Sequence, residues 1–260
     1  MVGFMPPFSS DSIPWAIASG PTALPPGDLH LWLADRDVWT NHPWDSVLSA
    51  EELARTSRYR YAVDRDRART GRGLLRRLLG RYLGMSPADV AIERGEFGKP
   101  QLTGDSNDTA IAFNASGSAH LALFAFARGA AVGVDIEAFA ATPGAPGKAL
   151  PSPRDIRSMT TRFAADEAAL IRGLPEADAA AAFLRLWTCK EACLKCRGTG
   201  LQTPLDEIRI ELLDDTRAIG LLGTERFAIR TFAPFTGATV AVAMVGNVMP
   251  EPRCWTLARQ

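Results

Sequence analysis

The sequence lacks the features that mark membrane, nucleic-acid-binding and secreted proteins. No apolar run approaches the roughly 20 residues of a membrane-spanning helix. The formal net charge is zero, from 29 basic and 29 acidic residues, which argues against nucleic acid as the main partner. Residues 1–28 have no basic region and contain six prolines, unlike a secretory signal. We therefore expect a cytoplasmic protein whose N-terminal stretch covers the body of the fold.

Common catalytic motifs are also missing. The sequence has no phosphate-binding loop, no dinucleotide-binding glycine pattern, no HExxH pair and no nucleophile elbow. The three histidines, His30, His42 and His120, are scattered and are expected to pack in strands or loops. The sequence therefore gives no sign of the enzyme classes that these motifs define.

Cysteine is scarce, but its placement leaves one alternative open. Three of the four cysteines, Cys189, Cys193 and Cys196, spell C-x3-C-x2-C, the spacing of radical-SAM iron–sulfur sites. Three cysteines on one helix do not suit a disulfide framework. The helix would also spread the sulfurs around its axis, which favours small thiols that pack in a core. A radical-SAM protein stays as the alternative enzyme class.

Lysine is rare and unevenly placed. Only four of the 29 basic residues are lysines: Lys99, Lys148, Lys190 and Lys195. Three of them fall in two short motifs, FGKP at 97–100 and FLRLWTCKEACLKCRGTGL at 183–201. Lysine acts as a compact charge on phosphate and can titrate when buried, which arginine cannot do. Its placement therefore indicates phosphoryl or pyrophosphate chemistry.

Residues 183–201 predict a helix that ends at Gly198. Its apolar stripe comprises Phe183, Leu186, Trp187 and Leu194. Lys190 falls inside this stripe, and Glu191 and Lys195, four residues apart, lie together at its edge. Charges on an apolar stripe are costly without partners. Two interpretations stay open: a surface ion pair beside a snorkelling lysine, or a functional group of charges.

Residues 133–137, GVDIE, alternate in the manner of a half-buried strand. The alternation puts Asp135 and Glu137 on one face, about 6.5–7 Å apart along the strand. The carboxylates could belong to an exposed strand edge, where charge protects against aggregation. With Glu191 they could instead converge on one divalent cation, and Mg²⁺ suits an all-oxygen site.

The wider pattern predicts an α+β protein built from two similar α/β lobes, because both halves run strand, helices, strands. Strands are predicted at 29–33, 90–93, 110–113, 120–126, 131–137, 208–213, 227–232 and 239–245, and helices at 155–172 and 176–197. Residues 114–118 are predicted to form a polar turn. The predicted divisions are a covering segment 1–28, lobes 29–128 and 129–246, a mobile linker 138–154 within the second lobe, and a tail 247–260.

A basic helical region follows a capping box at residues 49–52. Ten arginines lie between Arg55 and Arg81, and a leucine stripe runs until Gly84 ends the helix. The arginines could form a solvated helix face. They could also flank a phosphate group, which guanidinium groups bind well.

Five motifs together resemble one known family. They are FGKP at 97–100, FNASGS at 113–118, GVDIE at 133–137, RFAADE at 162–167 and WTCKEACLKCRGTGL at 187–201. In this order the chain resembles the Sfp-type 4'-phosphopantetheinyl transferases from about residue 29 to 245. The resemblance implies a monomer whose two lobes, related by a pseudo-two-fold axis, bind coenzyme A and Mg²⁺ in the cleft between them. It implies transfer of the phosphopantetheine arm to a serine of an apo acyl or peptidyl carrier protein of fatty-acid, polyketide or nonribosomal peptide synthesis, with release of adenosine 3',5'-bisphosphate.

The resemblance also implies roles for single residues. The implied Mg²⁺ ligands are Asp135, Glu137 and Glu191, and Glu191 is also the implied base on the carrier serine. Lys195 is implied to neutralise the transferring phosphate. The implied coenzyme A contacts are Lys99, Ser116, Lys190 and Lys195, with Arg55 and Arg67 at the 3'-phosphate and adenine end.

One position departs from the family pattern. Gly117 stands where the family's serine-histidine-serine turn usually has histidine. A phosphate contact is therefore missing, or an arginine supplies it. The departure leaves a further alternative, a degenerate protein that binds coenzyme A without turnover.

Overall fold

The computed structural model describes residues 16–17, 23–104, 109–139, 149–235 and 237–257, and within them it confirms the predicted α+β class. The strands are β1 (Ala16–Ile17), β2 (Leu29–Asp35), β3 (Ile92–Arg94), β4 (Pro100–Leu102), β5 (Ile111–Ser118), β6 (Leu121–Arg128), β7 (Val132–Ala138), β8 (Ile208–Leu212), β9 (Arg217–Leu222), β10 (Glu225–Phe232), β11 (Ala238–Val245) and β12 (Arg253–Thr256). The helices are α1 (Ala50–Thr56), α2 (Ala62–Leu83), α3 (Pro153–Met159), α4 (Ala165–Arg172) and α5 (Glu176–Arg197). Across the described ranges, no helix has both the length and the apolar character to cross a membrane.

Ten of these strands form two five-stranded sheets. The first sheet has the order β1-β12-β2-β6-β5, and the second has the order β7-β11-β10-β9-β8. Neighbouring strands are antiparallel except β12, which runs parallel to both β1 and β2. The edge strands β5 and β7 lie beside each other. The centre of the molecule is therefore the line along which the two sheets meet.

Three apolar clusters hold the layers together. One lies between α2 and the first sheet and includes Leu74, Trp32 and Phe126. A second lies between α5 and the outer face of the second sheet. The third joins the facing sides of both sheets and includes Leu123 and Val134. The layers thus follow the order α2, first sheet, second sheet, α5. Strand β7, at the edge of the second sheet, has the core between the sheets on one face and α5 on the other.

Helix α5 forms where the sequence predicts it, and its ends follow ordinary capping chemistry. Pro175 precedes its first turn, which carries acidic residues, and its last turn carries Lys195 and Arg197, so the charges complement the helix dipole. Gly198 ends the helix in the left-handed conformation, with φ of 89°, which glycine adopts without strain. The capping box of α1 is also confirmed, between Ser49 and Glu52.

The structure corrects three predictions of local structure. Residues 114–118 are not a turn but the second half of strand β5, since their polar side chains bind β7. The predicted helix 155–172 is interrupted, with α3 ending at Met159 and α4 beginning at Ala165. The predicted tail 247–260 contains strand β12, which pairs with β2. Most of the predicted linker, residues 140–148, lies outside the described residues.

Candidate active site

Strand β7 presents two carboxylates toward α5. Val134 and Ile136 point into the core between the sheets, so alternation turns Asp135 and Glu137 to the other face. Asp135 is buried and Glu137 is half-buried. The sequence pattern predicted this division of the strand correctly, and both acidic groups lie under the helix that carries Glu191 and Lys195.

Gly133 lets α5 approach β7 closely. A Cβ atom on Gly133 would lie 2.1 Å from the carbonyl oxygen of Ala192 and 2.2 Å from the backbone nitrogen of Cys196. Both contacts are with the helix backbone, which cannot turn away as a flexible side chain can. The glycine therefore sets the distance between the helix and the strand, and through it the separation of Asp135 from Lys195.

The substitution Gly133→Ala is expected to destabilise the fold strongly. Overpacking a core usually costs about 1–3 kcal/mol, and a clash with two backbone atoms puts this substitution at or above the top of that range. For a protein of this size that corresponds to a fall in Tm of roughly 5–10 °C. Thermal unfolding followed by circular dichroism measures it. Gly173→Ala is the matched control, because its nearest new contact is an ordinary 3.5 Å; equal Tm values for the two variants would contradict the argument.

Polar side chains of β5 bind the edge of β7. The side-chain oxygen of Asn114 accepts a hydrogen bond from the backbone N–H of Val134 at 2.9 Å. The hydroxyl of Ser118 accepts from the backbone N–H of Ala138 at 3.1 Å and donates to Glu137 at 2.7 Å. Side chains thus satisfy backbone groups that a neighbouring strand would otherwise pair. The FNASGS motif joins the two sheets and orients one of the acidic groups.

Asp135 is the centre of the buried charge cluster. Its Oδ1 accepts from the ammonium of Lys195 at 2.6 Å and from the hydroxyl of Ser116 at 2.8 Å. Lys195 also donates to that hydroxyl, at 2.9 Å. The Oδ2 atom is buried and has no hydrogen-bond partner among the residues that the structure describes. Burial raises the pKa of Asp135, although Lys195 and Ser116 act in the opposite direction.

Glu191 lies beside this cluster on α5 and is half-buried. Burial raises the pKa of its carboxyl group above the usual 4.5, Lys195 opposes the shift, and Asp135 and Glu137 add to it. Arg162, from the segment before α4, also acts on Glu191 and lowers the pKa. Three acidic groups from one strand and one helix are therefore close enough to influence one another.

The donor set of this cluster is all oxygen, which suits a hard divalent cation. The unpartnered Oδ2 of Asp135 gives one oxygen that a cation could satisfy. In the described part of the chain, however, no three His, Cys, Asp or Glu side chains are grouped closely enough to hold a metal ion. The ammonium of Lys195 instead provides the positive charge against Asp135. The residues thus fit the chemistry of a metal site, and closing them around an ion requires side chains to move.

A cavity of about 440 Å³ lies on the first-sheet side of this cluster. Its lining includes five arginines, Arg36, Arg55, Arg67, Arg72 and Arg94. Ser116 and Gly117 of β5 line it as well, together with Tyr59 from the segment between α1 and α2. Because the Ser116 hydroxyl bonds Asp135, the basic cavity and the acidic cluster meet at this serine. The arrangement suits a ligand that carries several phosphate groups.

Comparison with protein families identifies the chain. The model described as 4'-phosphopantetheinyl transferase superfamily matches residues 131–244, and the model described as 4'-phosphopantetheinyl transferase, N-terminal, matches residues 31–128. The chain is 33% identical over 231 residues to the 4'-phosphopantetheinyl transferase HetI of Nostoc sp., covering 88% of this chain and 92% of that protein. The chain belongs to the 4'-phosphopantetheinyl transferase superfamily.

Other relatives of this transferase match at lower identity. The phosphopantetheinyl transferase of Thraustochytrium sp. is 28% identical over 208 residues, 76% of this chain and 70% of that protein. The 4'-phosphopantetheinyl transferase Sfp of Bacillus subtilis is 27% identical over 175 residues, 67% of this chain and 71% of that protein. The prediction of a 4'-phosphopantetheinyl transferase from the sequence motifs is therefore confirmed.

The structure brings some predicted site residues of the transferase together and places others elsewhere. Arg55, Arg67 and Ser116 line the cavity. Lys99 does not line it, because its ammonium donates to the backbone carbonyl groups of Val132 at 3.0 Å and Cys196 at 2.9 Å. Lys99 therefore ties the loop before β4 to the end of α5, and the structure does not support the expected contact with coenzyme A.

The prediction that Lys190 binds the cofactor is wrong. Its side chain is 0% exposed and forms an ion pair with Glu167 of α4 at 2.7 Å. The ammonium also donates to the backbone carbonyl groups of Leu205 and Ile208 and lies over the ring of Phe163. The ammonium group thus points into the core between α5 and the elements that pack around it. Lys190 therefore has the contacts of a structural group and does not line the cavity.

The cysteine alternative also receives no support in this transferase. Cys189, Cys193 and Cys196 are buried in the apolar cluster between α5 and the second sheet. Burial raises the pKa of Cys189 to about 12 and that of Cys196 to about 11, so both stay thiols near neutral pH. A cluster ligand must be a thiolate that an iron atom can reach. These three residues are packing thiols.

Three functional residues were missed by reading the sequence. Asn114 and Ser118 alternate with Ser116, and a period of two over this stretch would have indicated a strand with one polar face. Arg36 follows strand β2 and reaches the cavity from a distant part of the chain. No local pattern distinguishes Arg36 from the many other arginines.

Proposed function

We propose that this transferase moves the 4'-phosphopantetheine arm of coenzyme A to a serine of an apo acyl or peptidyl carrier protein. The serine oxygen forms a bond to the phosphorus that bears the pantetheine arm. The bond from this phosphorus to the bridging oxygen breaks, adenosine 3',5'-bisphosphate leaves, and the serine proton passes to a base. The products are the holo carrier protein, adenosine 3',5'-bisphosphate and one released proton.

The junction at Ser116 carries this proposal. Five arginines surround the cavity on one side of the serine, and three acidic groups with Lys195 lie on the other. Phosphoryl transfer requires neutralised charge and an aligned nucleophile more than covalent help from the protein. The basic cavity can hold the nucleotide end of coenzyme A, and the adjoining cluster can hold its diphosphate. Together they neutralise charge and align the reacting groups.

Glu191 is the proposed base. A carboxylate accepts a proton more readily when its pKa is raised toward the working pH, and burial raises that of Glu191. Lys195 is proposed to face the diphosphate and to offset the charge that moves to the leaving group. Asp135, Glu137 and Glu191 are the proposed ligands of Mg²⁺, which would neutralise the phosphate oxygens when bound.

Mass spectrometry of carrier proteins tests the proposal. The protein is incubated with coenzyme A, Mg²⁺ and each of several apo carrier domains, and a carrier should gain the mass of one phosphopantetheine arm. A carrier with its serine changed to alanine, and a reaction with chelator in place of Mg²⁺, serve as controls. Tight binding of coenzyme A without modification of any carrier would support the degenerate alternative and contradict the proposed transfer.

A further inference from the structure

Gly117 makes room for an arginine side chain. It lies within strand β5, and its φ is not positive, so its backbone does not require glycine. A Cβ atom at this position would lie 2.9 Å from Nη1 of Arg36 and 3.2 Å from its Cζ. The space that a side chain of residue 117 would fill is therefore taken by the Arg36 guanidinium.

Backbone carbonyl groups hold Arg36 in this place. Its Nη2 donates to the carbonyl oxygen of Ala119 at 2.6 Å, and its Nε is 3.4 Å from the carbonyl oxygen of His120. Both carbonyls belong to the turn between β5 and β6. The two contacts fix one edge of the guanidinium and leave Nη1 directed at Gly117, where the cavity begins.

Arg36 differs from the other four arginines of the cavity wall: three of them form ion pairs, and the fourth, Arg94, is exposed and donates to the carbonyl oxygen of Gly98. Arg67 forms a bidentate ion pair with Asp37, at 2.8 and 2.7 Å. Arg55 pairs with Glu51 and Arg72 with Glu52.

In the described residues, Arg36 instead donates only to carbonyl oxygens. Burial and the nearby charge of Arg67 lower the pKa of Arg36, while Asp37, Tyr59 and Asp35 act in the opposite direction. A half-buried cation that forms no ion pair with any described carboxylate is stabilised when an anion binds beside it.

We infer that Arg36, whose guanidinium occupies the space beside Gly117, binds a phosphate group of coenzyme A. The inference rests on the proposed function, because it assigns a contact within that ligand's site. It also explains the departure from the family pattern at residue 117. An arginine from the end of β2 supplies the positive group, and a glycine on β5 admits it. Gly117 is thus compatible with an active site and does not mark a degenerate one.

Calorimetry with the variant Arg36→Gln tests the inference. Hydrogen bonds to charged groups contribute enough that Kd for coenzyme A should rise about 10- to 100-fold. Dephospho-coenzyme A is measured alongside. A loss confined to coenzyme A assigns Arg36 to the 3'-phosphate, and an equal loss with both ligands assigns it to the diphosphate. Arg172→Gln, at an exposed arginine of α4, is the matched control and should leave both Kd values unchanged.

The variant Gly117→Ala gives a second test that keeps the Arg36 side chain itself. The added methyl group displaces Nη1 of Arg36, so Kd for coenzyme A should rise when Arg36 is present. In the Arg36→Gln variant, the same substitution at Gly117 should change Kd little. Such coupling between the two sites is the mark of a direct contact.

Thermal unfolding shows whether each variant is folded. Unchanged Kd values in folded Arg36→Gln protein, or additive effects of the two substitutions, would overturn the inference. Natural protein that binds coenzyme A but never modifies a carrier would instead overturn the proposed function alone.

Discussion

Glutamine in place of Glu191 is expected to abolish transfer while the protein keeps its stability. General base catalysis typically contributes about 10²–10⁴-fold, so kcat should fall by that factor. Glutamine has nearly the same volume and fills the same space between α5 and β7. Single-turnover transfer to an apo carrier measures the loss. Glu176→Gln, at an exposed position in the first turn of α5, is the control and should retain full activity.

The raised pKa of Glu191 gives the sign of two further effects. Its carboxyl group binds its proton more tightly in the folded state than in the unfolded state, so ionisation of Glu191 weakens the fold. The resulting loss in the free energy of unfolding is absent below pH 4.5, the usual pKa of glutamate, and is complete above the raised pKa of Glu191. Glu191→Gln should therefore unfold at the same temperature as the natural protein, or higher, near neutral pH. In the natural protein, kcat/KM should fall on the acid side as Glu191 is protonated. Retained activity in the variant would refute the role of Glu191 as the base.

Methionine in place of Lys190 is expected to destabilise the protein severely. Removing one partner of a buried ion pair typically costs about 3–5 kcal/mol, because the other charge stays buried without compensation. Here the stranded group would be the carboxylate of Glu167, which is 7% exposed. That carboxylate also accepts from the backbone N–H groups of Ala164 and Ile210, so it cannot turn to solvent without breaking both bonds. Urea unfolding measures the change in the free energy of unfolding.

Lys195 provides the matched comparison for Lys190. The two lysines lie five residues apart on α5, but the Lys195 side chain is 27% exposed and its ammonium faces the active site. Lys195→Met should therefore lose activity, and because it leaves the buried carboxylate of Asp135 without its ion pair, it should lose stability as well. The double variant Lys190→Met with Glu167→Gln should recover part of the stability that the single Lys190 variant loses, because neither charge is then left alone. Loss of transfer activity in folded Lys190→Met protein, or retained activity in folded Lys195→Met protein, would contradict the division of roles.

Much of the site follows from local sequence patterns. The alternation of residues 133–137 places Asp135 and Glu137 on one face of β7, and the helical spacing of Glu191 and Lys195 places them together on α5. Both patterns are properties of a single element. Once β7 and α5 pack against each other, the two carboxylates of the strand face Glu191 and Lys195 of the helix. The acidic cluster was therefore predictable from the sequence.

The partners of each lysine were not predictable in the same way. Lys190 and Lys195 differ by whether their side chains meet Glu167 or Asp135, and each of these carboxylates lies on another element. Lys99 shares its motif with glycine and proline, yet its role depends on two backbone carbonyl groups far along the chain. Residue type indicates that a charge needs a partner, but only the packing of elements decides which partner it finds.

Strand β12 has a consequence for how the protein can be shortened or tagged. It lies between β1 and β2, its Trp255 stacks on Trp32, and the backbone N–H of Leu257 bonds the carbonyl of Leu33. Cutting the chain ahead of Arg253 would remove one of the two strands that pair with β2 and uncover an indole ring beside it. A bare strand edge of this kind pairs readily with a second molecule. Self-association would then accompany any loss of activity, so affinity tags should be attached without trimming these residues.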